Sequence, residues 1–334
     1  MRADEATVRR LASRRGACVL HHGSSGILAD QNLSPTVGVL MATFNGAAHC
    51  EDQLLSLLWQ RDVDVHVYVR DDGSQDETSA IVARLARRFP DRITVIDGGG
   101  IRTGSATGSF FALLQGIDLT QSDYVAFADQ DDVWMPDKLC QAIASMAAHR
   151  ADGYSSDLIA YHRGDNAVWM LHKAGKEAEL DYLFQGGSAG CTYVLSAKAA
   201  ELVARVMAKV PPLCPGASHD WIVYAICRSY GLTWFRDPGA GILYRQHASN
   251  LYGARRGWRD VLAKLRLTRS GWYRDHILWL RHVIAGGGDE LRVLDAIERG
   301  GAADRWWLIR HATRFRRTAQ GVQQLRAALL SRAV

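Results

Sequence analysis

The chain has 334 residues, 48% of them hydrophobic and 22% charged, with a formal net charge of +5. This is soluble globular composition, long enough for one large domain or two smaller ones, and no apolar run approaches the roughly 20 residues of a membrane-spanning helix. The six widely spaced Cys contain no C-x-x-C pair, which argues against a zinc site or a disulfide framework and for reduced thiols in a cytosolic protein.

Charge is unevenly divided. From Arg255 to the C-terminus, 17 Lys and Arg stand against 7 Asp and Glu, and five of the ten Trp lie there: Trp258, Trp272, Trp279, Trp306 and Trp307. An acidic body thus carries a basic, Trp-bearing tail.

Residues 1–34 contain Arg and Ser but no apolar core with a cleavage site, so they read as a loosely ordered lead-in and not as a secretory signal. "TVGVLMATFN" (Thr36 to Asn45) is an apolar run that predicts a buried strand, with Asn45 capping the helix whose inner face carries Leu54, Leu55, Leu57 and Leu58. "VDVHVYVRDDGS" (Val63 to Ser74) alternates as a strand and closes on Asp71-Asp72-Gly73. Ser74 and Glu77 then stand at capping-box spacing before a helical run. "ITVIDGG" predicts a third strand, and "GGGIRTGSATG" a glycine-rich loop leading to a helix near "SFFALLQGI". "DYVAFADQDD" is the fourth strand, followed by Pro136 in the first turn of another helix.

Four strand–helix alternations at crossover spacing predict an α/β fold with a mostly parallel, doubly wound sheet. Ligands of such sheets bind beyond the carboxyl ends of the strands, where Asn45, Asp71, Asp72, Asp129 and Asp131 all fall. Further on, "DLIAYHR", "AVWMLH", "LTWFRD" and "GILYRQH" read as strands. "GCTYVLSAKAAELVARVMAKV" reads as a strand and a Ser196-capped helix, and "HDWIVYAICRSYG" as a helix stopped by Gly231. From Trp258 onward the pattern is helical, basic and aromatic.

Three carboxylates within four positions, Asp129, Asp131 and Asp132, repel one another and are costly to bury without a positive partner. Asp129-Gln130-Asp131 at a strand end suits a divalent cation, held through one or two carboxylates plus substrate phosphates. The plainer alternative is a solvated turn with Asp132 capping the next helix. Asp71 and Asp72 exceed what a turn needs and can accept from a nucleobase N–H or a ribose hydroxyl. Asp220, in the first turn of a helix whose dipole favours negative charge, is either a general base or a capping residue. In "YRQHASN", His247 suits a metal or a phosphate and Arg245 a diphosphate, against a structural His and a surface Arg.

The ordered motifs "VGVLMATFNG", "SLLWQ", "VRDDGSQDET", "FADQDDVWMPDKL", "GCTYVLS", "HDWIVYAICRSYG" and "YRQHASN" resemble those of family 2 glycosyltransferases, nearest the rhamnosyltransferase-like branch of bacterial surface-polysaccharide assembly. The resemblance covers about Pro35 to Gly253. It implies the GT-A fold over 35–255, with a helical basic extension over 256–334, and inverting transfer from a UDP- or dTDP-sugar, with dTDP-rhamnose favoured. It further implies nucleoside contacts at Thr43, Asn45, Asp71, Asp72 and Asp129. A Mg or Mn ion is implied at Asp129 and Asp131, completed by His247, with Asp220 as the base. Gly190, Cys191, His219, Trp221, Arg245 and Trp134 are implied near the donor sugar or acceptor. Cys191 as a nucleophile is the sharper alternative to a small buried residue. Relatives often have N-x-G before the third helix, where this chain has Arg102-Thr103-Gly104, which leaves the sugar contacts there open.

The implied acceptor is a lipid-linked glycan at the inner face of the cytoplasmic membrane. Basic residues attract anionic headgroups and Trp favours the bilayer interface, so the tail suits that surface. The alternative is a helical bundle packed on the catalytic domain. The acidic body and the lack of a recognised motif speak against a nucleic-acid partner. A phosphatase using the D-x-D, or a non-catalytic adaptor that binds nucleotide sugars at the membrane, are the competing classes.

Overall fold

A computed structural model describes residues 34–162, 164, 166–246, 271–332 and 334. Its centre is strand β1 (Thr36–Thr43), which is covered on both sides. Val37, Val39 and Met41 enter one apolar cluster and Leu40 the other. A strand of period two with both faces buried must be apolar at nearly every position, which is what "VGVLMA" provides. Strands β2 (Asp64–Asp71), β3 (Ile93–Val95) and β4 (Tyr124–Ala128) pair with it in parallel, in the spatial order β3-β2-β1-β4.

The helices after these strands divide between the two faces. Helices α1 (Cys50–Leu58), α2 (Thr78–Arg88) and α4 (Lys138–His149) bury Leu54, Leu57, Leu85 and Leu139 on the Val39 side. Helix α3 (Ala106–Gly116) buries Phe110, Phe111 and Leu113 on the Leu40 side. The sheet continues through β8 (Val194–Ser196), β6 (Gly153–His162), β9 (Trp234–Gln246) and β5 (Val133–Trp134), with β7 (Ala167–Leu171) paired to β6. Strand β8 runs antiparallel to both β4 and β6. Helix α5 (Ala197–Met207) is capped by Ser196, whose Oγ accepts from Ala199 N. Helix α6 (His219–Ser229) ends before Gly231, which takes the left-handed φ of +77° that favours glycine.

Several local expectations are corrected. "LTWFRD" and "GILYRQH" form one strand, β9. Its pairing with β6 jumps from Asp237 to Ala240 against adjacent partners, so Pro238 and Gly239 bulge out of the ladder instead of ending it. In "GCTYVLS" only Val194–Ser196 is strand, and Gly190–Thr192 is a 3₁₀ turn. Asn45 does not cap α1, which starts at Cys50 after His49. Asn45 has φ 49° and its Oδ1 accepts from Gln75 N at 2.7 Å. Ser74 is taken up by Asp71 and α2 starts at Thr78, so the capping box does not form. Asp132 does not cap α4, which begins at Lys138. Pro136 therefore precedes that helix and is not in its first turn.

The C-terminal helices α7 (Trp272–Trp279), α8 (Gly288–Arg299), α9 (Ala302–Arg310) and α10 (Ala319–Leu330) pack on the α/β body. Ile277, Trp279, Leu294, Phe315 and Leu325 share one apolar cluster with Trp221 and Tyr224 of α6. Trp272 and Trp279 donate inward, to Gly216 O at 3.0 Å and Pro212 O at 3.1 Å. Trp306 stays 60% exposed, and Trp258 lies outside the described residues. No helix among the described residues is long and apolar enough to cross a membrane.

Candidate active site

The strand registers bring the polar ends level. Thr43 of β1 faces Asp71 of β2, and Met41 faces Ala128 of β4, so Asp71 and Asp129 emerge beside the end of β1. Gln130, the middle residue of the D-x-D, fastens this rim. Its Oε1 accepts from Phe44 N at 2.8 Å and its Nε2 donates to Phe44 O at 2.9 Å, as a neighbouring strand would. Its carboxamide lies over Gly46, where a Cβ would stand 2.2 Å from Oε1.

Asp71 accepts from Thr43 Oγ1, Ser74 N, Ser74 Oγ and Ser79 Oγ. Burial opposes its ionisation, but these hydrogen bonds prevail and hold the carboxyl below its ordinary range. Asp72 is buried and faces the glycine-rich loop. It accepts from Thr103 N at 2.6 Å, Thr103 Oγ1 at 3.0 Å and Gly104 N at 2.8 Å. Its carboxylate therefore fixes the loop that departs from the family pattern.

Asp129 is pushed up to about 7, first by burial and then by the charges of Asp131 and Asp220. Asp220 thus shares one electrostatic neighbourhood with the D-x-D. Asp132 is fully buried and pushed well above the carboxylate range by burial, Asp129 and Asp131, and its Oδ1 accepts from Arg245 N at 3.3 Å. Nearby, burial lowers Lys138 to about 7 against the pull of Cys191 and Asp132, and its Nζ sits 3.4 Å from the centre of the Trp134 ring.

Asp220 stands in the first turn of α6, where its Oδ1 accepts from Trp221 N at 2.8 Å and from Ser218 Oγ. The preceding His219 is a wedge. Its ring lies 4.3 Å from Phe110 and 5.7 Å from Phe127, its N donates to Thr107 Oγ1 at 3.1 Å, and burial lowers its pKa. Gly190 makes room for that ring, because a Cβ there would stand 2.0 Å from His219 Nε2. Tyr193 holds the start of α6 from the other side, donating to Asp220 O at 3.1 Å.

The remaining expected residues are placed differently. Trp134 is 2% exposed under Lys138, and Trp221 is 5% exposed, stacked on His276 and donating to Tyr182 O, so both belong to the core and not to an open pocket. The Arg245 guanidinium bonds His49 Nδ1 at 2.9 Å and Asp52 Oδ2 at 3.3 Å on the α1 side. Cys191 has no exposed surface, and burial, Asp132 and Asp129 raise its thiol, which makes it an inert residue and not a nucleophile. His247 lies outside the described residues. Gln130, Lys138 and Tyr193 were missed. Only Gln130 left a sequence signal, as the one residue between the two D-x-D acids.

The acidic centre suits a hard divalent cation. Asp129 and Asp131 are partly exposed carboxylates, and behind them Asp132 Oδ2 is buried with no hydrogen-bond partner among the described residues. Asp129, Asp132 and Cys191 each offer a donor atom within 4.8 Å of the others. The oxygens fit Mg²⁺ or Mn²⁺ better than the sulfur does.

The model of the Glycosyl transferase family 2 family matches residues 38–196. A Shigella flexneri protein named dTDP-rhamnosyl transferase RfbG is 32% identical over 249 residues, which cover 73% of this chain and 84% of that one. S. aureus TarS in complex with UDP superimposes with a TM-score of 0.54 at 13% identity, over 88% of this chain and 86% of that one. The mannosyltransferase PcManGT from Pyrobaculum calidifontis, in complex with GDP-Man and Mn²⁺, does so at 0.50 and 15% identity, over 91% and 78%. The fold is GT-A, so the D-x-D phosphatase alternative falls. With its motif order, its sheet and a relative matched along most of both lengths, the chain belongs to glycosyl transferase family 2 and is a glycosyltransferase.

Proposed function

We propose that this glycosyltransferase moves rhamnose, with inversion, from dTDP-rhamnose to a hydroxyl of a lipid-linked or polysaccharide glycan. The observation that carries the reading is Asp220, held at the first turn of α6 close enough to Asp129 for their charges to interact. The dTDP-sugar donor is supported by the relative's name, and a nucleoside diphosphate generally by TarS with UDP.

Thr43, Asn45 and Asp71 line the nucleoside side of the rim, and Asp71 stays ionised to accept from a base N–H or ribose hydroxyl. Asp72 acts by fixing the 103–104 loop beside it. Asp129 and Asp131, with His247, would hold a Mg or Mn ion, whose charge offsets that of the departing diphosphate. Asp220 takes the proton of an acceptor hydroxyl as that oxygen attacks the anomeric carbon from the face opposite the diphosphate. One displacement inverts the centre and needs no covalent nucleophile, in keeping with the buried Cys191 thiol.

Asp220→Asn keeps the shape and removes the base. Donor affinity should stay near wild type while turnover falls by about 10²- to 10⁴-fold. Wild-type turnover in this variant would remove the assignment. We also place the enzyme at the inner face of the cytoplasmic membrane, because α9 presents an exposed Trp306 and Arg310 beside a basic tail. It should float with anionic vesicles and be released by salt, and equal binding to neutral vesicles would contradict this.

A further inference from the structure

The C-terminal helices share a core with α6, and the strap "FQGGS", Phe184 to Ser188, lies between the two. Three of its carbonyls are taken by side chains from the C-terminal region. Phe184 O accepts from Tyr273 Oη at 2.6 Å and Arg316 Nη1 at 2.9 Å. Gly186 O accepts from Arg317 Nη2 at 2.8 Å, and Gly187 O from Arg317 Nη1 at 3.2 Å. Arg236 of β9 also reaches Gly187 O, at 3.2 Å. The same Arg317 is paired through Nε with Asp181, which has no exposed surface.

The amide side of the strap faces the other way. Gly187 N and Ser188 N both donate to Tyr193 Oη, at 2.7 and 3.2 Å, and that hydroxyl donates its one proton to Asp220 O. A Cβ at Gly186 would touch Trp221 N and Cα at 3.4 Å, so the strap also rests on the first turn of α6. Gly187 is the tighter position, because a Cβ there would stand 3.0 Å from Tyr193 Oη and 3.1 Å from Trp234 Nε1. A continuous hydrogen-bonded line therefore runs from Arg317 through the strap and Tyr193 to the backbone of Asp220.

We propose that Arg317 is a positioning residue for the transfer reaction, and that the C-terminal region completes the active site by seating Asp220 through the 186–188 strap and Tyr193. This rests on the reading of Asp220 as the base. The guanidinium meets Asp181 through Nε, Gly187 O through Nη1 and Gly186 O through Nη2, a spread of donors that one compact ammonium nitrogen does not reproduce. Lys offers a single ammonium and keeps the charge without the fork. A displacement of about 1 Å at a base costs up to about 100-fold in rate without touching donor binding.

The test is a double-mutant cycle of Arg317→Lys and Tyr193→Phe. Turnover is read as dTDP release from dTDP-rhamnose with Mn²⁺ and a lipid-linked glycan extract, and dTDP affinity is read by calorimetry. Each single variant should lower kcat by about 10- to 100-fold with dTDP affinity unchanged. The double variant should be no slower than the worse single, because both break one line. Costs that multiply, or a wild-type kcat in Arg317→Lys, overturn the proposal. If Arg317→Lys does not fold, an unchanged kcat in Tyr193→Phe overturns it alone. Asp220→Asn, measured in parallel, separates the two readings. Full turnover there refutes the base and the inference with it. An inactive Asp220→Asn beside a fully active Arg317→Lys refutes only the positioning role.

Discussion

Gly190→Ala perturbs the site without replacing any charged or titratable side chain. The added Cβ would stand 2.0 Å from His219 Nε2 and 2.7 Å from Cε1, while ordinary contact begins at 3.4 Å. The imidazole must therefore retreat by about 1.4 Å. It has little room, with Phe110 at 4.3 Å and Phe127 at 5.7 Å, both rings without exposed surface, and its backbone tied to Thr107. Overpacking of this kind costs about 1–3 kcal/mol, and the strain falls on the residue before Asp220. Urea unfolding should show a lower midpoint at unchanged slope, and turnover should fall with it. The double variant Gly190→Ala/His219→Ala should be little worse than His219→Ala alone, since truncating the ring removes the clash. Wild-type stability and turnover in Gly190→Ala would refute the wedge.

Two further outcomes follow from the geometry. His276 has no exposed surface and stacks on Trp221 at 4.2 Å, and burial lowers its pKa to about 4. Unfolding then brings proton uptake between about pH 6.5 and 4, so the histidine's contribution is full above about 6.5 and declines by up to ~3 kcal/mol toward 4. His276→Phe should flatten that part of the stability curve, and an unchanged slope would count against it. Gln130→Ala removes both bonds to Phe44 and should cost about 1–2 kcal/mol in melting experiments and weaken nucleotide binding. If β1 and β4 stay aligned without it, both measurements will match wild type.

Where sequence reasoning worked, the signal was local and periodic. The four strand–helix units announced themselves as apolar runs ending in polar or acidic residues, and parallel topology then placed Asn45, Asp71, Asp72, Asp129 and Asp131 at one rim. The failures concern what local pattern cannot carry. The Pro238-Gly239 pair looks like a break between strands, and only the neighbouring β6 reveals a bulge within one strand. Asp72 and Asp71 are adjacent in sequence, yet one turns into the 103–104 loop and the other toward Thr43 and Ser74. The family resemblance implied Trp134 and Trp221 near the donor or acceptor, but Trp134 is buried under Lys138 and Trp221 is buried and bonded to Tyr182 O, 39 residues away in the chain. The link from Arg317 to Asp220 spans contacts up to 131 residues apart in the chain, and no spacing rule reaches that far.

On the proposed reading, the crowded acids hold a cation against a nucleoside diphosphate. Calorimetric titration of dTDP and UDP, with and without Mg²⁺ or Mn²⁺, on wild type and Asp131→Asn tests it most directly. Binding should depend on the metal, be tighter for dTDP and be lost in Asp131→Asn. Binding of equal strength with and without metal, unchanged by the substitution, would contradict it.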